Sequence, residues 1–383
     1  MTTPPINARF AALVLGVDSH GLAAVRALNQ AGVPTYALDK DTSLPGARSN
    51  QFRRLFSTPS FEAADLLPVL RQVRQQLSAY DEVALMAMND RQVEVIGRHQ
   101  AAVTADYRVA WIDQADTILR LQRKNELETH SRQHGLNYPR TVQFDSPGDA
   151  NLAMSMRFPM IIKPVRPLSS FKTQMAANPA DLDRWLQRYQ ADLPILGQEF
   201  IAGDDRAIYF GALLLERGRL LFGMTGRKLA SYPPSRGQTT VAETVDEPQV
   251  LQLTQQFFAG LRLSGPVSLE LKRAPDGSFW VIEPTVGRTD FWVGLCIGAG
   301  FNQPLMEFQL ATGQPVTMPT RTEGCTWYDS ERDPTAYPRL ALNNRCLRPL
   351  NHRQVFSYLH SSDWRPAIHA VGRRLRSVVL WSF

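Results

Sequence analysis

Two glutamates stand in a stretch that otherwise alternates like a strand pair, "GPVSLELKRAPDGSFWVIEPTVGR" at 265–288. Asp276-Gly277 predicts a two-residue hairpin turn, which needs positive φ at both central positions. That turn sets Pro275 against Ser278 and brings Glu270 directly opposite Glu283. Side chains alternate across a strand. Val267, Leu269, Leu271, Trp280 and Ile282 then share an apolar face, and Ser268, Glu270, Lys272, Val281, Glu283 and Thr285 share the other. Carboxylates in cross-strand register repel, so something positive belongs between them. Lys272, on the same face, is one answer. A shifted register removes the problem altogether. The third answer is a hard cation, since Mg²⁺ binds through one or two carboxylates together with substrate phosphates. The hairpin alone leaves all three open.

The elements that must position this pair are legible in outline. "FAALVLG", "GLAAVRALNQAG" and "VPTYALD" read as strand, helix and strand, with the helix ending at Gly32. The intervening loop "GVDSHG" carries Asp18 where a dinucleotide fingerprint has its second glycine, so the unit predicts a fold and argues against that ligand. "EVALMAMND" and "RQVEVIGRHQAAV" repeat the pattern, which predicts a parallel sheet with flanking helices. A helical stretch, "DTILRLQRKNELETHSRQHG", follows, then the strands "FPMIIKPV" and "LPILGQEFI" on either side of the helix "MAANPADLDRWLQRYQ". "DRAIYFGALLLERGRLLFGMTGRKL" predicts a second hairpin turning at "ERGR", and "RTDFWVGLCIGAGFNQPLMEFQLATG" a helical closing segment.

Composition narrows the class. With 383 residues, 44% hydrophobic and 20% charged, the chain suits a soluble protein of two or three domains. No stretch has the length of an apolar membrane span, and the short run near the start predicts a buried strand rather than a secretory signal. Cys296, Cys325 and Cys346 are scattered without metal spacing, which favours reduced thiols and a cytoplasmic setting. The net charge of +6 lies in the tail, where nine arginines face three acids from Glu331 onward.

In their order, the open α/β domain, the lysine opening a helix, the strand ending "IIKP", the "QEFI" strand and the hairpin with two glutamates before a closing arginine resemble the ATP-grasp superfamily of carboxylate–amine ligases. "GQEFIAGDDRAIYFGALL", "TGRKLASYPPSRGQTT" and "LELKRAPDGSFWVIEPTVGR" are most similar to the D-aspartate ligase-like predicted carboligases. The resemblance spans about 10–315 and implies an ATP-grasp fold preceded by a Rossmann-like parallel-sheet domain. The expected divisions are 1–115 for that first domain, 116–195 and 196–320 for the two ATP-grasp subdomains, and 321–383 for an Arg-rich extension.

The resemblance also implies a site. Lys124 and Lys163 match lysines that reach the nucleotide phosphates. A solvated surface lysine is the competing reading for Lys124, whereas Lys163 ends an apolar strand, where a charge needs a partner. Gln198, Glu199, Phe200 and Ile201 match a linker that holds adenine, with Asp205 available to ribose. Glu270 and Glu283 match acids that hold Mg²⁺, or Mn²⁺ in its place, against ATP. Arg288 matches the arginine that steadies the transferred phosphoryl group. Arg227 and Lys228 are placed on a loop as contacts to phosphate or an acidic substrate, against the alternative of a solvated basic turn. Two departures stand out. Thr285 occupies the place of a metal-binding asparagine, and the phosphate-covering loop "VRPLSSFK" has no glycine, leaving Ser169, Ser170 and Lys172 to do its work. Asp18 and Arg48, on loops outside the first two strands, are candidates for the charged ends of a substrate. His20, His130 and His134 are expected at the surface.

The implied reaction joins a small carboxylate or amino acid, a cell-envelope precursor among the candidates, to an amine through an acyl phosphate, with ADP and phosphate released. The competing readings are a non-catalytic ATP-binding scaffold of the same fold and a nicotinamide-dependent oxidoreductase. The tail "WRPAIHAVGRRLRSVVLWSF" suits either a helix docked on the core, which is preferred, or one at the inner face of an anionic membrane with Trp364 and Trp381 as anchors. No groove motif predicts a nucleic-acid partner.

Overall fold

The computed structural model describes residues 9–165, 170–171, 173–234, 237–319, 323–336 and 352–380, with backbone alone for 375–380. It opens with β1 (Phe10–Leu15), α1 (Ser19–Gln30), β2 (Thr35–Asp39), β3 (Leu55–Ser57), α2 (Ala63–Gln76), β4 (Glu82–Ala87), α3 (Asp90–Arg98) and α4 (Gln100–Thr104). The four strands form a parallel sheet in the order β3-β2-β1-β4. The apolar run of β1 is buried almost throughout, as expected of a parallel strand covered on both faces. Asp18 caps α1 by accepting from the Gly21 amide at 3.1 Å. Asn89 and Gln92 close a capping box that starts α3 and leaves Asp90 as its first residue.

The single helical stretch expected next is instead α5 (Ala115–Leu121), a 3-10 turn at Lys124–Glu126, and α6 (Leu127–Gln133). Burial explains the break. Ile118, Leu121 and Leu127 all join one core, yet at ~100° per residue Leu127 would face away from Ile118 on a straight helix.

A second sheet contains β5 (Thr141–Phe144), β6 (Met160–Pro164), β7 (Gln174–Ala176) and β8 (Ile195–Glu199), in the antiparallel order β5-β8-β6-β7, with α7 (Pro179–Arg188) between β7 and β8. Then come β9 (Ile208–Glu216), β10 (Arg219–Tyr232), β11 (Gln238–Val245), α8 (Pro248–Phe258), β12 (Gly265–Arg273), β13 (Phe279–Val286), α9 (Val293–Gly298), α10 (Gln303–Ala311), β14 (Cys325–Tyr328) and β15 (Arg353–Phe356). Their strands make one sheet, β13-β12-β9-β10-β11-β14-β15. The β9–β10 hairpin turns at "ERGR" as expected, with Arg217 and Gly218 at φ 50° and 83°.

The β12–β13 hairpin does set Glu270 opposite Glu283, but by another route. The turn is longer than two residues. The Ala274 amide donates to the Ser278 carbonyl at 2.8 Å and Arg273 pairs with Phe279. That register is one residue out from the expected one. A bulge at Ile282, between the Glu270–Glu283 and Leu271–Val281 pairs, restores it. Beyond the bulge the faces exchange: Val281 joins the core with Leu269 and Leu271, while Trp280 pairs with Lys272.

The last helix, α11 (Arg365–Leu380), lies on the first domain. The buried Arg26 side chain fixes its approach, donating from Nε to Asp363 at 2.9 Å and from the other nitrogens to the Ser357, Tyr358 and Asp363 carbonyls. Docking of the tail, the preferred expectation, is what the structure shows. Among the described residues no helix is long and apolar enough to cross a membrane.

Candidate functional site

The first domain and the large sheet share a single core, in which Val93 of α3 packs with Val267, Leu269 and Val286 of the hairpin. The approach is close. Gly287 has φ +72°, and a Cβ there would lie 2.8 Å from Val93. A side chain at 287 would push α3 away, so glycine brings the end of β13 against the start of α3. Arg288 follows directly, and its Nε donates to Asp90 Oδ1 at 2.6 Å while Nη1 donates to the Thr289 carbonyl at 3.1 Å.

A cavity of about 510 Å³ opens beside this junction, between all three sheets. Lys124, Ser170, Glu270, Glu283, Thr285 and Arg288 line it, joined by Asp90, His20, Gln238 and Asp290. The residues expected at the phosphate end therefore do converge. Lys124 Nζ lies 3.6 Å from Glu283. Lys163, at the buried end of β6, adjoins Pro164 of the lining and senses both Lys124 and Glu283. Burial chiefly, and Lys124 after it, bring its pKa down to about 8, with Glu283 opposing both. For Arg288 burial works against the charge, but Asp90, Asp290 and Glu283 outweigh it and raise the pKa. For Asp90 burial favours the neutral acid, but Arg288, Lys124 and His20 overcome it and hold the carboxyl below its ordinary range.

Other expected residues lie outside the cavity lining. Gln198 donates to Thr141 at 3.0 Å, and Glu199 accepts from the Arg157 amide at 3.1 Å. Phe200 and Ile201 follow the end of β8, with Lys272 Nζ 4.4 Å from the centre of the Phe200 ring. Lys272 thus lies over Phe200, outside the cavity lining that holds the two glutamates. Arg227 and Lys228 belong to strand β10 rather than to a loop. Arg227 pairs with Glu243, and Lys228 lies 3.0 Å from Asp205. Asp205 also accepts from Ser231 at 2.7 Å, so its carboxylate is already engaged. Ser169, with Lys172, lies outside the described residues. Ser170 donates its hydroxyl and its amide to Asp192.

Thr285 donates to Asp290 Oδ2 at 2.7 Å, and Ser268 donates to the same oxygen at 2.8 Å. Among the described residues no group of three His, Cys, Asp or Glu side chains forms a metal cluster. The donor set still suits a hard cation shared with phosphates: two opposed carboxylates, Glu270 and Glu283, in a cavity lined also by Lys124 and Arg288.

Asp18 and Arg48, the candidates for the charged ends of a substrate, both lie outside the cavity lining. Asp18 is spent on capping α1, and Arg48 lies against α11. His20 is not a surface group: it lines the cavity, with Nε2 2.6 Å from the Met88 carbonyl. His130 is buried against Phe257, and His134 is partly buried beside it. Asp90 and Asp290 were missed by the sequence reading. For Asp90 a signal existed, because ligands gather outside the carboxyl ends of parallel strands, and "MND" follows β4 as "GVDSHG" follows β1.

No family model matches the sequence, and no curated protein matches it. Solved structures do match. PurK, the N5-carboxyaminoimidazole ribonucleotide synthetase, in its ADP complex aligns over 85% of this chain and 82% of its own, with TM-score 0.66 at 11% identity. The chain has the ATP-grasp fold. Two other ATP-grasp structures align similarly. The L-amino acid ligase from Bacillus licheniformis covers 82% of this chain and 78% of its own, with TM-score 0.62 at 18% identity. The biotin carboxylase–β,γ-ATP complex from Campylobacter jejuni covers 82% and 74%, with TM-score 0.66 at 10% identity.

Proposed function

We propose that this ATP-grasp protein is an ATP-dependent ligase that joins a carboxylate to an amine. The observation that carries the reading is the opposed pair Glu270 and Glu283, set in a cavity with Lys124, Arg288 and the neighbouring Lys163. A site of this kind accepts a polyanion with its metal, and the solved structures of the same fold include complexes with ADP and with β,γ-ATP.

On this reading Glu270 and Glu283 would hold Mg²⁺, or Mn²⁺ in its place, which would supply positive charge against the ATP phosphates. Lys124 and Lys163 bind the transferred phosphoryl group. A substrate carboxylate oxygen attacks the γ-phosphorus as the bond to ADP breaks, giving an acyl phosphate. The amine nitrogen then attacks the acyl carbon, phosphate leaves, and the nitrogen loses a proton. Arg288, oriented by Asp90, faces the charge that passes to the phosphoryl oxygens, so positioning and electrostatics carry the catalysis. Adenine is assigned to the Gln198–Ile201 linker and ribose to the Asp205 side of it. The acid is proposed to be an amino acid or small carboxylate, a class to which the substrates of the Bacillus ligase belong by its name.

A second reading, a non-catalytic ATP-binding protein, has one observation in its favour: the Thr285 hydroxyl proton is committed to Asp290. One experiment separates them. Incubation with MgATP, hydroxylamine and a panel of carboxylates traps any acyl phosphate as a hydroxamate. The expected result is hydroxamate with ADP release, abolished by Glu283→Ala. AMP and pyrophosphate as products would overturn the mechanism, and ATP binding without turnover would favour the second reading.

A further inference from the structure

Over Arg365–Arg374, helix α11 is buried on one face only. Ala367 and Ala370 pack with Leu22 and Tyr358, and Arg373 reaches the Ser43 carbonyl at 3.3 Å and Glu331 at 3.8 Å. Outside lie Trp364, Ile368 and Val371, exposed by 56%, 61% and 60%. Spacings of four and three residues put them on one line along the helix, and the sequence keeps that spacing at Leu375 and Val378. Arg48 and Arg365, both exposed, join Trp364, Ile368 and His369 around a hollow of about 460 Å³. From Trp364 to the end there are four arginines and no acidic residue.

We propose that this face docks on an anionic lipid bilayer, with α11 lying in the plane of the surface. Charge decides the occupant. An apolar line edged by arginines, with tryptophan at its start, fits the boundary between anionic headgroups and acyl chains. A second copy of the chain across a two-fold axis would set the same arginines against each other. The helix cannot serve as a span, since no described helix is long and apolar enough to cross a membrane. Arg26 and Asp363, both buried, tie the start of the helix to the first domain. The whole body is thereby held at the surface, rather than a loose tail alone.

Co-sedimentation of the full chain with vesicles tests the proposal. Vesicles of equal parts phosphatidylglycerol and phosphatidylcholine should carry the protein down, and phosphatidylcholine alone should not. Raising the salt should weaken binding. Arg365→Glu should cut the partition coefficient roughly tenfold or more, since each cationic side chain near such a surface contributes about fivefold. Trp364→Ser with Ile368→Ser and Val371→Ser should abolish binding while the melting temperature stays put, because those side chains face outward. If that variant misfolds, Arg365→Glu and the salt series still decide. Equal binding to both vesicle types, or none, overturns the proposal. So does a dimer that the triple variant dissolves, or binding of an RNA oligonucleotide in preference to vesicles.

Discussion

Two arginine–aspartate pairs that join distant parts of the chain, Arg26–Asp363 and Arg288–Asp90, are built in opposite ways. Arg26 and Asp363 lie 2.9 Å apart with side chains 6% and 0% exposed. The two other guanidinium nitrogens of Arg26 donate to three carbonyls, and Asp363 also accepts from Ser49 at 2.7 Å. Burial is the largest influence on Arg26 and lowers its pKa in spite of Asp363. Arg288 and Asp90 are closer, at 2.6 Å, but Asp90 is 39% exposed and both line a cavity. Around Arg288 the carboxylates of Asp90, Asp290 and Glu283 outweigh burial. The first pair is closed on itself by backbone and side-chain partners. The second keeps charge facing open space, where a ligand can use it.

The comparison breaks most sharply on the closed pair. Arg26→Ala leaves Asp363 buried without its cation, which costs about 3–5 kcal/mol. Urea denaturation should show that loss, while ATP turnover per folded molecule stays at the wild-type level. At the open pair Arg288→Ala should do the reverse. Turnover should fall about 10²–10³-fold, as when an electrostatic donor is removed from an active site, with little change in the denaturation midpoint because Asp90 can be solvated. A variant pair with these effects exchanged would sink the distinction.

Asp90→Asn sharpens it further. The amide oxygen can still accept from Arg288, so orientation is kept while the charge is lost. Turnover at saturating ATP should fall roughly tenfold, with KM for ATP nearly constant, since a positioning group acts on the transition state more than on binding. A change confined to KM would place Asp90 in ground-state binding instead.

How much of this was legible depends on whether a residue's neighbours were near in sequence. The opposition of Glu270 and Glu283 needed only a hairpin and a count. Even so, the count succeeded because two departures cancelled, the longer turn and the bulge at Ile282. The same cancellation misassigned Val281 and Trp280, since a register shift of one residue exchanges the faces. Lys163 was legible as a charge ending an apolar strand. Asp90 was legible only through its place outside the carboxyl end of β4, because its partner lies 198 residues away and a helix-starting aspartate reads first as a favourable first-turn acid. The Asp205–Lys228 pair was hidden for the same reason. A basic dipeptide on a long strand looks like a turn until the partner strand and its acids are in place. The α11 docking site was half legible: the helix could be expected, but its anchor, Arg26, reads in sequence only as one polar position on α1.

The smallest expected effect is in pH, and its sign is informative. Burial, chiefly, brings Lys163 down to about 8 from an ordinary 10.5. Below pH 8 the ammonium is present in the folded protein, and above it the amine is neutral. On the proposed reading ATP phosphates bind the ammonium. Affinity for ATP should then be full below about pH 8 and decline above it, by at most about tenfold per unit. Calorimetric titration with MgATP from neutral to alkaline pH measures this, and Lys163→Met should bind more weakly and without the slope. The ligand-free protein should respond in the other direction. Its folded-state pKa is below the unfolded value, so the unfolded chain binds more protons between 8 and 10.5, and the burial penalty on Lys163 is relieved as pH rises through that window. This term makes the fold more stable as ATP binding weakens, a combination that general alkaline unfolding cannot produce. Flat ATP affinity across the window would remove Lys163 from the phosphate site. Falling affinity with falling stability would assign the effect to unfolding.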